Sequence, residues 1–181
     1  GVTLKAGGET EDIQNSFRDM LLAFLIGMIL MLAILVLEFN SFRYAFYLLR
    51  IVPLSLAGVF FGLFFSGQPL GFTSMLGVIA LGGVIINHAI ILMDSYRRFE
   101  ERDNAQHDLK EIVIEASATR FRPIILTTIT TVLGMIPLSF SSALWGPFAF
   151  AIMFGLSYSL LLTLVYIPVL YYRHRTKVSR T

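Results

Sequence analysis

Near the middle of the apolar run GVIALGGVIINHAIILMDSYRR, residues 77–98, an amide and an imidazole stand side by side as Asn87 and His88. Lipid-facing polar groups at that depth are costly, so such side chains turn to a protein interior, a water-filled path or a partner helix. At 3.6 residues per turn, Gly83, Asn87 and Asp94 share one helix face, while His88 lies about 100° round with Val84 and Ile91. Asn87 and Asp94 are therefore expected to look inward together. In a later run, EASATRFRPIILTTITTVLGMIPLSF, Arg120 and Thr127 are seven residues apart and share a face, with Thr128, Thr130 and Thr131 adding hydroxyls over the next turn. A guanidinium, an amide, a carboxylate and hydroxyls on two neighbouring spans can make a buried polar path. Each also has a plainer reading. Membrane threonines bond their own i−4 carbonyls, asparagine ties helices together, and Arg120 and Asp94 can mark helix ends at the headgroups.

The elements that must position these groups are membrane helices. Of 181 residues, 56% are hydrophobic and 14% charged, with a mean hydropathy of +0.74, against roughly 25% charged in an ordinary soluble domain. There is no cysteine, which excludes a disulfide framework and a thiolate metal site. No nucleophile–base pair, phosphate loop or metal-ligand cluster points to an enzyme. The fold class implied is an all-α integral membrane bundle of five transmembrane helices plus one cytoplasmic amphipathic surface helix. Its spans, each near the roughly 20 residues that cross the hydrocarbon core, are about 20–37, 44–65, 70–93, 123–140 and 148–172, in a membrane domain of 20–172. Turn signals at Asn40-Ser41, Ser66-Gly67-Gln68-Pro69 and 141–147 separate them. Pro123 opens the fourth, at an early position where its missing N–H is tolerated. Leu109, Ile112, Val113 and Ala116 recur at i, i+3, i+4 and i+7, with Asp108, Lys110, Glu111 and Glu115 elsewhere. That spacing predicts an amphipathic helix over about 104–118, lying along the membrane surface.

Charge gives an orientation. Five spans put the ends on opposite sides, with Lys5 and Arg18 on one and Arg43, Arg50, Arg97, Arg98, Arg102, Lys110, Arg120, Arg122, Arg173, Arg175, Lys177 and Arg180 on the other. By the positive-inside rule, residues 1–19 are the periplasmic end of a preceding loop or domain, and the 94–122 loop and the basic tail 173–181 are cytoplasmic. The start at Gly1, with a polar opening unlike a signal peptide, suggests a segment of a longer protein. Gly58 with Gly62, the glycines Gly77, Gly82 and Gly83, and Gly155 with Ser159 put small residues where helices can approach closely.

The two quoted runs, with LEFNSF and SGQPLGFTSMLGVIAL, form an ordered set that resembles the C-terminal transmembrane half of resistance-nodulation-division (RND) efflux permeases, from Gly8-Glu9 to Tyr172. The resemblance implies helices eight to twelve of a twelve-helix protomer in the bacterial inner membrane. It implies a transporter that couples proton influx to export of amphiphilic compounds, with the proton as coupling ion and no other cofactor or metal. The family's relay uses two aspartates on the fourth helix, a residue in the middle of the tenth, and an arginine and a threonine on the eleventh. By that match Asn87 takes the tenth-helix position, Arg120 the arginine and Thr127 the threonine, with His88 and Asp94 as further candidates. The chain departs from the pattern of the well-studied drug pumps, which have a lysine at Asn87 and usually an asparagine at His88. The aspartate pair belongs to the other half. Asn87 is thus expected to face those carboxylates or an intervening water. His88 beside it either joins the relay or packs, and without an anionic partner it is expected to be neutral.

The partners implied are the N-terminal half of the permease or further copies of the chain, since the family is trimeric. A periplasmic adaptor and an outer-membrane channel would bind through other parts, and the bilayer surrounds the whole; no nucleic acid is expected. The surfaces with Gly58/Gly62 and Asn87/Arg120 are expected to pack on the other half. Two alternatives remain: a stand-alone five-helix structural or regulatory subunit that self-associates or assembles with a permease, and a channel-like or lipid-binding bundle.

Overall fold

The structure, a computed structural model, describes the backbone of residues 8–103 and 108–178 and the side chains of residues 14–102 and 108–173. Residues 1–7, 104–107 and 179–181, which hold parts of the expected N-terminal segment, surface helix and tail, lie outside it. The described residues form α1 (Gly8–Phe39), α2 (Phe42–Leu49), α3 (Ile51–Phe65), α4 (Phe72–Asp103), α5 (Leu109–Ser139) and α6 (Gly146–Val178). Five stretches are long and apolar enough to cross a membrane: Gln14–Phe39, Phe42–Phe65, Phe72–Arg102, Leu109–Ser139 and Gly146–Arg173.

The helices outrun the apolar spans because hydropathy stops where charge begins, whereas a helix stops only where its backbone is broken. Helix α1 has already begun at Gly8, since no proline or turn signal divides the polar opening from the apolar run. Helix α4 has 32 residues, about 48 Å at 1.5 Å per residue against a hydrocarbon core of about 30 Å. Its tail is rich in Arg and Glu, which favour the helix. The amphipathic segment is not a separate surface helix: from Leu109 it runs unbroken into the fourth span as one helix of 31 residues. Its apolar face is real, with Ile112, Val113 and Ala116 buried, but Val113 and Ala116 pack into the bundle core. Pro123 consequently lies inside α5 rather than at its start.

The second span departs in the opposite sense. Pro53 has no N–H to offer the Leu49 carbonyl, and its ring crowds that oxygen, so the expected single helix parts into α2 and α3. Arg50 sits at the junction, its N–H reaching the Phe46 carbonyl at 3.3 Å. The turn signals fall where glycine-like backbone is required. Asn40, after α1, has φ +47°, and Gly67, after α3, has φ +65°. At Gly67 the N–H groups of Gly67 and Gln68 bond Phe64 O and Leu63 O at 3.2 and 3.0 Å, a Schellman closure of the helix end.

Helix α6 is the hub, packed on α3, α4 and α5, while α1 lies on α2 and α4. Small residues set these approaches. A Cβ on Gly58 would meet the Tyr158 side chain, one on Gly62 the Phe154 side chain, and one on Gly155 the Leu81 and Val59 side chains. The Gly58/Gly62 surface therefore packs on α6 of the same chain, not on another half of a larger protein. Its spacing announces a close neighbour without saying which. Gly82 has Met31 and Val52 carbons 3.5 Å from a Cβ position, whereas at Gly83 none of the described residues comes within 4 Å. Ser159 is buried and donates to the Leu156 carbonyl at 2.9 Å.

Candidate functional site

Helices α4 and α5 pack on one another and are joined by polar rungs. At one rung His88, 6% exposed, places Nε2 3.4 Å from Thr127 Oγ1. The Thr127 hydroxyl also reaches the carbonyls of Ile124 and Pro123, at 2.9 and 3.1 Å; while its proton is on one of them, its oxygen accepts from the Nε2–H tautomer of His88. Seven residues along each helix comes the next rung, where Arg120 Nε donates to Ser95 Oγ. Ser95 in turn donates to the Ile91 carbonyl at 3.1 Å. A further rung pairs Tyr96 with Ser117, oxygen to oxygen at 2.8 Å, the serine donating to the Val113 carbonyl at 2.6 Å. The step of seven on both helices between the His88–Thr127 and Ser95–Arg120 rungs keeps those partners in register, because seven residues return nearly to the same face.

The other candidates divide. Asp94 does not meet Arg120; its Oδ2 pairs with Arg98 Nε at 2.9 Å, one turn along α4. Asn87 is exposed, as is Gly83, so the inward side chain of the adjacent pair is His88. The helical wheel separated the two faces correctly but could not tell which one this chain covers. Helix α4 turns His88, Leu92 and Ser95 to its neighbours and leaves the Gly83–Asn87 face open. Thr130 and Thr131 follow the local habit of membrane threonines, donating to the carbonyls of Leu126 and Thr127 at 2.9 and 2.8 Å. Thr128 is buried, and its hydroxyl has no hydrogen-bond partner among the described residues.

Beside the Arg120 rung, a cavity of about 260 Å³ is lined by Ser95, Arg98, Phe99, Arg102, Thr119 and Arg120. Ser95 and the Tyr96–Ser117 pair were not among the residues expected from sequence. The signal was present: Ser95 follows His88 by the interval that separates Arg120 from Thr127. Chemically the ladder fixes one guanidinium and one imidazole between two helices, next to a face that exposes an amide. Among the described residues, no group of three or more His, Asp or Glu side chains is placed to hold a metal ion.

Known proteins give this arrangement a family. Residues 1–175 match the AcrB/AcrD/AcrF family. The chain is 31% identical over 175 residues to the swarming motility protein SwrC of Bacillus subtilis, covering 94% of this chain. It is 26% identical, over the same share, to the cobalt-zinc-cadmium resistance protein CzcA of Cupriavidus metallidurans. To the multidrug resistance protein MdtC of Proteus mirabilis it is 29% identical over 91% of the chain. A crystal structure of a heavy metal efflux pump superposes on 93% of the chain with a TM-score of 0.80 and 31% identity. In each case the chain spans only 16–17% of the relative's length. With five membrane-length helices in the same arrangement, the chain belongs to the AcrB/AcrD/AcrF family of RND efflux permeases.

Proposed function

We propose that the chain is the C-terminal membrane half of a proton-coupled RND exporter in the bacterial inner membrane, and that it supplies the Arg120 and Thr127 side of the proton relay. The observation that carries this reading is the in-register ladder. It presents Arg120 and His88 between α4 and α5 while Asn87 stays exposed on the neighbouring face. Open polar groups at membrane depth need a polar counterpart, and the aspartate pair that the family carries on its fourth helix would be one. Asn87 in place of lysine contributes hydrogen bonds to such a site but no charge, so Arg120 becomes its principal cation. The trimer, the adaptor and the outer-membrane channel belong to this proposal through the parts of the permease outside the chain.

The cargo proposed is amphiphilic, as the family resemblance implies, and the likeness to the multidrug resistance protein MdtC supports that reading. Metal-ion export is the second reading, favoured by the likeness to CzcA and to the heavy metal pump. Both are tested with the complete permease in proteoliposomes under an imposed pH gradient, offering an amphiphilic dye in one arm and Zn²⁺ or Co²⁺ in the other. Gradient-dependent movement of the dye alone supports the first reading, and movement of the metal alone the second. Transport that continues undiminished after a protonophore collapses the gradient would remove the proton coupling from both.

The orientation follows from the division of fourteen basic residues, twelve against two, under the positive-inside rule. A cysteine at Ser142 or Ala143, both exposed between α5 and α6, is expected to react with an impermeant thiol reagent added outside intact spheroplasts. A cysteine at Arg173 is expected to react only after the membrane is opened. Prompt labelling at Arg173 in sealed spheroplasts would reverse the topology.

A further inference from the structure

We propose that Ser95 is a positioning residue for Arg120, a role that rests on the relay reading above. Ser95 is 1% exposed, and its only proton goes to the Ile91 carbonyl, so its oxygen is left to accept from Arg120 Nε. That choice of nitrogen matters. A guanidinium carries one N–H on Nε and four on its two terminal nitrogens, in a fixed plane. Anchoring at Nε sets the direction of that plane while leaving the terminal nitrogens for another acceptor, and they bond to no described residue. Arg120 also lines the cavity of about 260 Å³ beside α4. The nearest alternative anchor along α4, Asp94, is held by Arg98. Without Ser95 the long arginine side chain would search its rotamers, and its fork would face the relay only part of the time.

The neighbouring rung is a matched control. Tyr96 also bonds across from α4 to α5, but its partner is a serine, not the arginine. In the complete permease, reconstituted with an imposed pH gradient, the initial transport rate per assembled permease is measured across pH for Ser95→Ala, Tyr96→Phe, Arg120→Ala, Arg120→Lys and the Ser95→Ala/Arg120→Lys double variant. Ser95→Ala is expected to lower the rate roughly tenfold, the size of one lost hydrogen bond to a charged group, and to displace the pH profile. Tyr96→Phe is expected to stay within about twofold of the parent, with its profile in place. The double variant is expected to match Arg120→Lys, because lysine has a methylene where arginine has Nε and gives Ser95 nothing to hold. If Arg120→Ala is inactive while Ser95→Ala behaves like Tyr96→Phe, or if the Ser95→Ala and Arg120→Lys losses simply multiply, the positioning role is overturned and the relay reading stands. Normal transport by Arg120→Ala overturns the relay reading itself, and the role of Ser95 with it.

Discussion

Replacing Arg120 by alanine is expected to reduce proton-driven transport per assembled permease by about a hundredfold or more, with the amount of assembled protein close to normal. Removing one partner of a buried ion pair costs about 3–5 kcal/mol, because it strands the other charge, and each 1.4 kcal/mol is a factor of ten. In the proposed relay the stranded charge is a carboxylate of the other half, which would then stay protonated and cease to cycle. Arg120→Lys is expected to recover only part of the loss, since the ammonium keeps the charge but not the planar fork. A helix-end anchor makes a different forecast. Arg120 is only partly buried, and if it merely holds α5 at the headgroups, its loss lowers the yield of folded protein while each surviving permease turns over normally. Rates normalised to assembled permease separate the two, and a normal value for Arg120→Ala assigns the residue to anchoring.

How much of this site was legible beforehand depends on what a single helix can reveal. The shared face of Arg120 and Thr127 follows from spacing alone, and both side chains do reach α4. The five apolar runs and the backbone reversals at Asn40 and Gly67 are likewise local properties, written in composition and turn chemistry. Partner choice is not local. A wheel gives two faces for Asn87 and His88, but which one is covered depends on how α4 sits against its neighbours. The same limit applies to Gly58 and Gly62, which signal close approach and find it at Tyr158 and Phe154 of α6. Ser95 was hidden for another reason. A serine in an apolar helix ordinarily bonds back to its own turn, and Ser95 does so; its seven-residue interval from His88 is legible in the sequence, but that interval alone does not separate the habit from a second bond to Arg120. The continuity of α5 through Pro123 was missed because a proline that opens a helix and one embedded in a longer helix look alike when the preceding turn carries charges.

The other large effect is expected at Gly155, in folding rather than transport. This glycine lies where α6 crosses both α3 and α4, and a Cβ there would run into Leu81 and Val59 side chains that are 1% and 0% exposed. Val59 is β-branched and stiff at χ1, and α3, α4 and α6 are held at this point by their mutual packing, so the clash has no cheap relief. Overpacking of a tight interior typically costs about 1–3 kcal/mol, and Gly155→Val, with three added carbons, is expected to lie at or above the top of that range. In a bundle whose hub is α6, that should remove most of the monodisperse protein recovered in mild detergent and lower the midpoint of thermal aggregation. Two comparisons make the cause specific. Gly83→Ala adds a methyl where nothing lies within 4 Å, so it should be tolerated or mildly stabilising through helix propensity. Leu81→Ala combined with Gly155→Ala should recover more protein than Gly155→Ala alone, because it vacates the space the new methyl needs. If Gly83→Ala is as damaging as Gly155→Ala, glycine is serving backbone flexibility in these helices and not close approach. If the Leu81 change gives no recovery, the contact limiting this crossing is Val59, and the α3–α6 seam rather than the α4–α6 seam sets the geometry that brings α4 to α5 and with it Ser95 to Arg120.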